Sequence, residues 1–289
     1  MFNIKEYCTN FDRFYKDMNI AIYIGTEHIR SDERLRTLVN QLEDGGCETY
    51  FTSADEPLKE GTDVLLSVGG DGTFLSAAMK ASDADVPVAG VNLGRMGFLS
   101  EYRQEDILAA MISGEYSIEE RTMLKADVVT GCPAIDECPY ALNEMTVRRC
   151  GAAMLGVDVC VDGVVLPTYW GDGIVISTSS GSTAYSLSVG GPIVLPQSKV
   201  FIISPIAPHN LNVRPLVVPD SSVISLNVHS RDGRFEFSAD NRTSEIAEKT
   251  PVEISMAQFS LKRVRLDKSN FIQALVEKLY WGEDVRNIR

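Results

Sequence analysis

Val64-Leu65-Leu66-Ser67-Val68-Gly69-Gly70-Asp71-Gly72-Thr73 is the stretch on which the fold turns. The uncharged run 64–68, directly after Asp63, has the pattern of a parallel strand buried on both faces. Strand end and helix start then fall within five residues, three of them glycine. In an open α/β sheet, ligands bind beyond the carboxyl ends of the strands. Glycine lets a backbone approach a ligand closely, and a helix start presents free N–H groups to an anion. Gly69, Gly70, Gly72 and Thr73 therefore read as a pyrophosphate cradle without lysine. Asp71 in its middle would repel a phosphate. It fits a residue that accepts a hydroxyl proton or faces a magnesium ion, and a second reading makes it the cap of a tight turn.

Outward from that turn, strand and helix signals alternate. Residues 19–25 are an apolar run ending in glycine. Residues 31–44 carry Leu35, Leu38 and Leu42 at helical spacing, with Gly45 and Gly46 as the stop. Residues 48–52 and 86–92 read as strands, and 73–81 and 105–112 as helices. This rhythm predicts an α/β N-terminal domain on a mostly parallel sheet. Near residue 118 it gives way to short β-like runs separated by Asp162 with Gly163, Asp172 with Gly173 and Asp232 with Gly233. Such pairs are hairpin signals. Residues 119–265 thus form a β-rich, β-sandwich-like C-terminal domain with one helical insertion at 183–189. Helical spacing returns at 269–281, with Phe271, Ala274, Leu275 and Leu279 expected inward, and this helix should return to the first domain. The expected division is 1–118 with 266–289 against 119–265.

The 289 residues hold 27 Lys and Arg against 40 Asp and Glu, a net charge of −13. That balance, with no basic stripe, argues against nucleic acid as a partner. Phosphates must then be met locally, by backbone N–H groups or a metal. No apolar stretch approaches the ~18–20 residues that cross a bilayer, so no membrane partner is expected. The N-terminus lacks a basic region followed by an apolar core, so it does not read as a secretory signal. The six cysteines, at 8, 47, 132, 138, 150 and 160, form no CxxC pair. Reduced thiols in the cytoplasm are the expectation, with neither disulfides nor a zinc site. The extension 1–18 carries Phe2, Tyr7, Phe11, Phe14 and Tyr15 at near-helical spacing, which suggests a short helix docked on the body or on a partner subunit.

No GxxxxGK[ST] motif exists, and Gly70-x-Gly72 lacks the third glycine of the dinucleotide fingerprint. Protein-kinase motifs are absent as well, and no nucleophile elbow surrounds Ser180 or Ser182.

GGDGT (69–73) resembles the kinase superfamily that contains NAD kinases, diacylglycerol and sphingosine kinases and 6-phosphofructokinases. PVAGVNLGRMGFLSE (87–101), EERTMLKADV (119–128), ALNEMTV (141–147), GDGIVISTSSGSTAYSLSVGGPIV (171–194), SPIAPHNLNVRPLVVPDSS (204–222) and SADNRT (238–243) resemble the successive motifs of NAD kinases, in the same order. The resemblance runs from about Ile20 to Arg265. It implies transfer of a phosphoryl group from ATP to the 2′-hydroxyl of the adenosine ribose of NAD, giving NADP. By the same resemblance Asp71 meets that hydroxyl as general base. Residues 119–265 become the NAD-binding domain and the first domain the nucleotide-binding one.

Asn143 and Glu144 form a polar pair inside an apolar β-like run, where one side chain should face inward and need a partner. In the family this pair contacts the ribose and nicotinamide portion; a structural hydrogen bond is the alternative. Asp172, Ser180, Thr183, Ala184, Tyr185 and Ser188 match NAD-contacting positions, with Tyr185 able to shape or stack on the base site. Phe98, just past the next parallel strand, belongs beside the Asp71 turn, where it faces adenine or simply packs in the core. Asp240 and Asn241 match a family position near the phosphates or the 2′-hydroxyl, although relatives often carry Gly or His after that Asp. His209 reads as a buried hydrogen-bonded histidine. Leu195 stands where many relatives have His, which weakens any proposal that a His there is catalytic. Arg214 reads as structural or as a subunit contact.

Because donor and acceptor both carry phosphates and the chain is acidic, a divalent cation, magnesium brought in with ATP, should carry much of the neutralisation. No protein-only metal cage is readable. The family's habit implies a homo-oligomer, dimer or tetramer. Two other readings stand beside this one. A lipid kinase of the same superfamily would need an apolar acceptor pocket, which the polar stretch 177–188 disfavours. A non-catalytic NAD(P) sensor that kept the binding site is disfavoured by an intact Asp71, and binding without turnover would revive it.

Overall fold

The structure is a computed structural model that describes residues 18–94, 97–267 and 269–279. The expected helix within residues 1–18 lies outside these but for Met18, as do Arg95, Met96 and the last two residues of the helix expected at 269–281. The chain divides into two compact units, residues 1–119 with 262–289 and residues 120–261.

The first unit opens with β1 (Asn19–Ile24), a short helix α1 (Glu27–Arg30), α2 (Glu33–Asp44), β2 (Glu48–Thr52), β3 (Val64–Val68), α3 (Asp71–Asp83), β4 (Val88–Val91) and α4 (Gln104–Ser113). The strands order as β4-β3-β1-β2 and every pair is parallel. Asp32 caps α2 by accepting the Arg34 N–H at 2.9 Å, and Leu35, Leu38 and Leu42 bury one face. All five residues of β3 are buried, as a central strand covered on both faces requires. Helix α3 begins two residues earlier than the pattern predicts. Gly70, with extended backbone, serves as its N-cap, so Asp71 lies in the first turn. Helix α4 ends on Gly114 in the left-handed conformation, φ 70°. The core of this unit joins Ile20, Ile22, Leu66 and Val91 of the sheet to Leu38, Ile107 and Met111 of the helices.

The second unit is β-rich. Its elements follow β5 (Ser117–Asp127): a short helix α5 (Pro133–Asp136), β6 (Tyr140–Ala141), β7 (Glu144–Arg148), β8 (Leu155–Val161), β9 (Val164–Val165), β10 (Tyr169–Gly171) and β11 (Gly173–Thr178). A 3-10 turn (Ser180–Thr183) and α6 (Tyr185–Ser188) come next, then β12 (Val200–Ile206), β13 (Leu216–Pro219), β14 (Ile224–His229), β15 (Arg234–Ala239), β16 (Arg242–Ala247) and β17 (Val252–Arg265). One antiparallel sheet orders as β13-β12-β11-β7-β15-β16. Facing it, β10, β8, β14 and the first part of β17 pair in that order. Val157, Val159, Leu226 and Ile254 of this second sheet meet Val147, Ile176, Phe201, Phe235 and Phe237 of the first in one buried core, the arrangement of a sandwich.

The last helix, α7 (Phe271–Leu279), belongs to the first unit, where Arg263 of β17 pairs parallel with Val88. Leu275 is buried and Phe271 and Ala274 partly so, whereas Leu279, in the last described turn, is exposed rather than inward.

Of the three Asp–Gly pairs, only Asp162 with Gly163 closes a hairpin, joining Val161 to Val164 with φ of 50° and 81°. Asp172 with Gly173 and Asp232 with Gly233 instead carry the chain from one sheet to the other. The turn chemistry is the same, but pairing partners are chosen by which face each strand must bury. A two-residue hairpin that carries no such pair sits at Asp240 and Asn241, joining Ala239 to Arg242, with Asp240 at φ 50°.

Candidate functional site

In the first unit, Asp71 is held by the chain beyond β4. Its Oδ2 accepts the Phe98 N–H at 2.9 Å, and its Oδ1 accepts the Leu99 and Ser100 N–H groups at 3.1 and 2.9 Å. These are charge-assisted bonds, and three of them fix both oxygens. The segment that supplies them must lie flush against the carboxylate, which is why residue 97 is glycine. A Cβ there would stand 1.9 Å from Asp71 Oδ1.

Gly69 adopts φ 153°, open to glycine alone, and its missing Cβ makes room for the Thr73 hydroxyl at 2.5 Å. Gly70 and Gly72, by contrast, face open space, with no atom within 4 Å of where a Cβ would stand. No side chain caps α3, and the first backbone N–H of the region to close a helical bond is Phe74, onto the Gly70 carbonyl at 3.1 Å. The turn therefore presents bare backbone, free N–H groups and a fixed carboxylate together, and Asp71 bonds the loop after β4 rather than capping its own helix. Phe98 lies where expected, beside Asp71, and its ring meets Phe271 at 6.2 Å and the Lys278 ammonium at 4.7 Å.

In the second unit, Asp240 repeats the device. Its Oδ2 accepts the Leu142 N–H at 2.8 Å, and its Oδ1 accepts those of Asn143 and Glu144 at 2.9 and 3.1 Å. Burial pushes the Asp240 carboxyl up, while those three donors pull it down. Glu144, also largely enclosed, is pushed up to about 8 by burial and then by the neighbouring Asp240. That shift favours the protonated carboxyl at neutral pH. Glu144 Oε2 and Asn143 Oδ1 are both buried and lack a partner among the described residues. Buried polar atoms left open in this way are where a ligand's hydrogen bonds would fit.

The strand β11 and the 3-10 turn close onto the same place. The Thr178 hydroxyl donates to the Leu142 carbonyl at 2.6 Å and accepts the Gly181 N–H at 3.1 Å. Gly181 lies so close to the Asn143 carbonyl that a Cβ would stand 2.1 Å from it. Ser180, nearly buried, receives Arg121 at 3.4 Å, and the Thr183 hydroxyl donates to the Ser180 carbonyl at 3.5 Å. Ala184 donates its N–H to the Gly181 carbonyl, and Tyr185 follows at the start of α6 with its N–H directed to Glu144. Ser188 is exposed at the far end of α6, and Asn241 is exposed at the hairpin turn.

Asp172 sits apart from that network. It pairs with Arg149 at 2.7 Å and, with Arg148, Tyr185 and Glu236, lines a cavity of about 340 Å³. Sequence reading missed Arg148 and Arg149 because they follow an apolar strand and look like a solvated strand end. It also missed Thr178, Gly97 and Lys278, whose roles come from long-range approach.

His209 is exposed, not buried. Only its backbone is engaged, donating to the Trp170 carbonyl at 2.7 Å, because the loop after β12 runs over the surface. Leu195 is exposed too, and Arg214 bonds carbonyls of its own loop. The described cysteines, 47, 132, 138, 150 and 160, are unpaired. No described helix is long and apolar enough to cross a membrane.

Residues 15–116 match the family model of the ATP-NAD kinase N-terminal domain, and residues 142–266 that of the C-terminal domain. An NAD kinase of Flavobacterium psychrophilum is 38% identical over 239 residues, 81% of each chain. One of Bacteroides fragilis is 35% identical over 93% of this chain and all of the relative. Among solved structures, an NAD kinase of Archaeoglobus fulgidus in complex with ATP aligns with TM-score 0.73 and 26% identity over 91% of this chain and 99% of that one. Yeast NADH kinase complexed with NADH aligns with TM-score 0.79 at 22% identity, over 94% and 90% of the two chains, and shares the fold.

Proposed function

The chain belongs to the ATP-NAD kinase family and acts as an NAD kinase, and on that premise we propose that Asp71 is the general base of the transfer. The acceptor is the 2′-hydroxyl of the adenosine ribose of NAD. Its oxygen attacks the γ-phosphorus of ATP, its proton passes to Asp71, and the bond to the β-phosphate oxygen breaks to release ADP. Phosphoryl transfer of this kind asks for positioning and charge stabilisation more than covalent chemistry. The observation that carries the role is the carboxylate of Asp71, fixed by three amides beside the open backbone of Gly70 and Gly72. A carboxylate has about four lone-pair sites, so about one remains for the hydroxyl.

Gly69, Gly70, Gly72 and Thr73 form the phosphate cradle in this reading, and Phe98 is a wall beside it. Asn143 and protonated Glu144 bind the nicotinamide-side ribose through their open polar atoms, which supports the assignment made by resemblance. Asp240 holds their backbone. Ser180, Thr183, Ala184, Tyr185 and Ser188 line the path of the dinucleotide, and Asp172, oriented by Arg149, meets its carboxamide end. Asn241 flanks the site at its hairpin.

Among the described residues no group of three His, Cys, Asp or Glu side chains gathers, and Asp71 gives most of its lone pairs to three amides. That donor set does not fit a resident ion, and the cation comes with the substrate, as MgATP. A cytoplasmic location and assembly into dimers or tetramers complete the proposal. Exposed Val164, Val165 and Trp170 are apolar surface that such assembly would cover.

The test is NADP formation from NAD, ATP and magnesium by wild type and Asp71→Asn side by side, with NAD binding measured on both. Turnover lost with binding kept within a few-fold supports the base; near-normal turnover in the variant refutes it. Sedimentation of the active enzyme tests assembly, and a fully active monomer removes it.

A further inference from the structure

The segment that grips Asp71 is itself gripped from its other side. Phe98, Leu99 and Ser100 donate their N–H groups to the Asp71 carboxylate. The carbonyls and side chains of the same segment are taken by residues from the C-terminal end of the chain. The Lys278 ammonium, on α7, donates to the Gly97 carbonyl and lies 4.7 Å over the Phe98 ring. Phe271, at the start of α7, packs against Phe98. Arg263 donates to the Leu99 carbonyl at 3.3 Å and pairs with Glu101 at 2.8 Å. Ser269 donates to Glu101 at 2.9 Å, and Tyr102 donates to the Val264 carbonyl at 3.0 Å.

Two of these partners carry a cost that needs a return. Arg263 is almost wholly buried. Burial works to raise Glu101, yet Arg263 beside it holds its carboxyl below the usual range. Lys278 is half-buried, and that burial lowers its pKa. A lysine on a surface helix has freedom to keep its ammonium in water. This one gives up part of its hydration to reach a backbone carbonyl next to the catalytic turn.

We propose that α7 is a strut for the Asp71 turn and that Lys278 is a positioning residue for the phosphoryl transfer. It acts through the segment 97–100, not on the substrate. The ammonium holds the Gly97 carbonyl away from Asp71, so that the next three amides face the carboxylate. Its effect belongs on kcat rather than on substrate affinity, because it orients a group used only in the chemical step. The inference rests on Asp71 being the base.

The experiment compares Lys278→Met, which keeps the apolar stem, with Lys278→Arg and with Val276→Ser on an exposed position of the same helix. For Lys278→Met, kcat is expected to fall about ten-fold with KM for NAD and ATP within two-fold of wild type. Lys278→Arg recovers most of that loss, and Val276→Ser changes nothing. Hydrogen exchange, read on peptides covering 97–102, gives a second measure that does not require turnover. Lys278→Met should speed exchange there while β3 and α3 keep their protection. An unchanged kcat, a rise in KM at constant kcat, or exchange that rises equally across the whole first unit overturns the proposal. If Asp71→Asn keeps its turnover, the base assignment fails on its own. A local exchange response to Lys278→Met would then still show that α7 braces this turn.

Discussion

Replacing Gly97 by alanine puts the reading of the catalytic turn to its hardest test. A Cβ at that position would stand 1.9 Å from Asp71 Oδ1, 2.4 Å from Cγ and 2.6 Å from Oδ2. Ordinary van der Waals contact begins near 3.4 Å. Carboxylate and loop must therefore separate by about 1.5 Å, the difference between 3.4 and 1.9 Å. The obstacle is not the far end of a flexible side chain: Asp71 is short, starts α3, and is bonded to three amides of the very loop that carries the new methyl. A misplacement of about 1 Å in a catalytic group costs on the order of 10²-fold in rate. Gly97→Ala is thus expected to lower kcat about 100-fold. KM for NAD should stay within about three-fold, since Asn143, Glu144 and the residues of 180–188 assigned to dinucleotide recognition lie elsewhere in the chain. Loss or lengthening of the three bonds should also lower the melting temperature, each bond to a charged group being worth about 1.5–3 kcal/mol. The assay is steady-state NADP formation over a matrix of NAD and MgATP concentrations, with a thermal melt on the same preparation. A kcat within three-fold of wild type would refute the claim that Asp71 works from the geometry described here.

Gly70→Ala should behave in the opposite way: its Cβ meets nothing in the protein, so the melt is unchanged while KM for the nucleotide rises. Gly181→Ala drives a methyl to 2.1 Å from the Asn143 carbonyl and should weaken NAD binding measured by titration, leaving hydrogen exchange of the Asp71 turn untouched. Glu144 titrates at about 8 in the folded protein against an ordinary 4.5, so the folded state holds a proton that the unfolded state releases. Stability then falls as pH rises from about 4.5 to 8, by at most about 1.4 kcal/mol per pH unit, and Glu144→Gln should flatten that fall in denaturation midpoints across the window. Magnesium alone should leave the melting temperature unchanged, magnesium with ATP should raise it, and chelation should stop turnover; a rise with magnesium alone would point to a protein-held ion.

What the sequence made legible is local. The apolar run 64–68 and the glycines after it specify strand, turn and helix within ten residues, and the structure has all three there. Leu35, Leu38 and Leu42 announce the buried face of α2 in the same way. The hairpin signals did worse, because Asp–Gly chemistry sets how the chain turns but not which strand it turns toward. At Asp172 and Asp232 the next strand has to bury its face in the other sheet. Candidate residues behaved similarly. Asn143, Glu144, Asp240, Tyr185 and the stretch 178–184 come together because β7, β11 and β15 are neighbours in one sheet. Asp172 instead turns to Arg149, an ion pair that adjacent-residue patterns do not reveal. Lys278 lies 207 positions after Asp71 and acts on its turn only through folding (278 − 71).

The turns at Asp71 and Asp240 also explain how so acidic a chain can organise carboxylates without spending its cations on them. Asp71 takes three consecutive amides, one on Oδ2 and two on Oδ1, and Asp240 takes three consecutive amides in the same division. Backbone N–H groups fix a carboxylate in direction while adding no mobile charge, and they compete with no phosphate. A lysine or arginine in their place would be attracted to the triphosphate and would leave the carboxylate when substrate arrived. Amides cannot leave. The cost is that each carboxylate depends on the loop that supplies its donors, which is why Gly97 must have no side chain and why α7 is braced against the Asp71 turn. A change that removes one of those amides is therefore expected to cost rate through lost aim, on the order of 10²-fold per ångström of displacement of the Asp71 carboxylate.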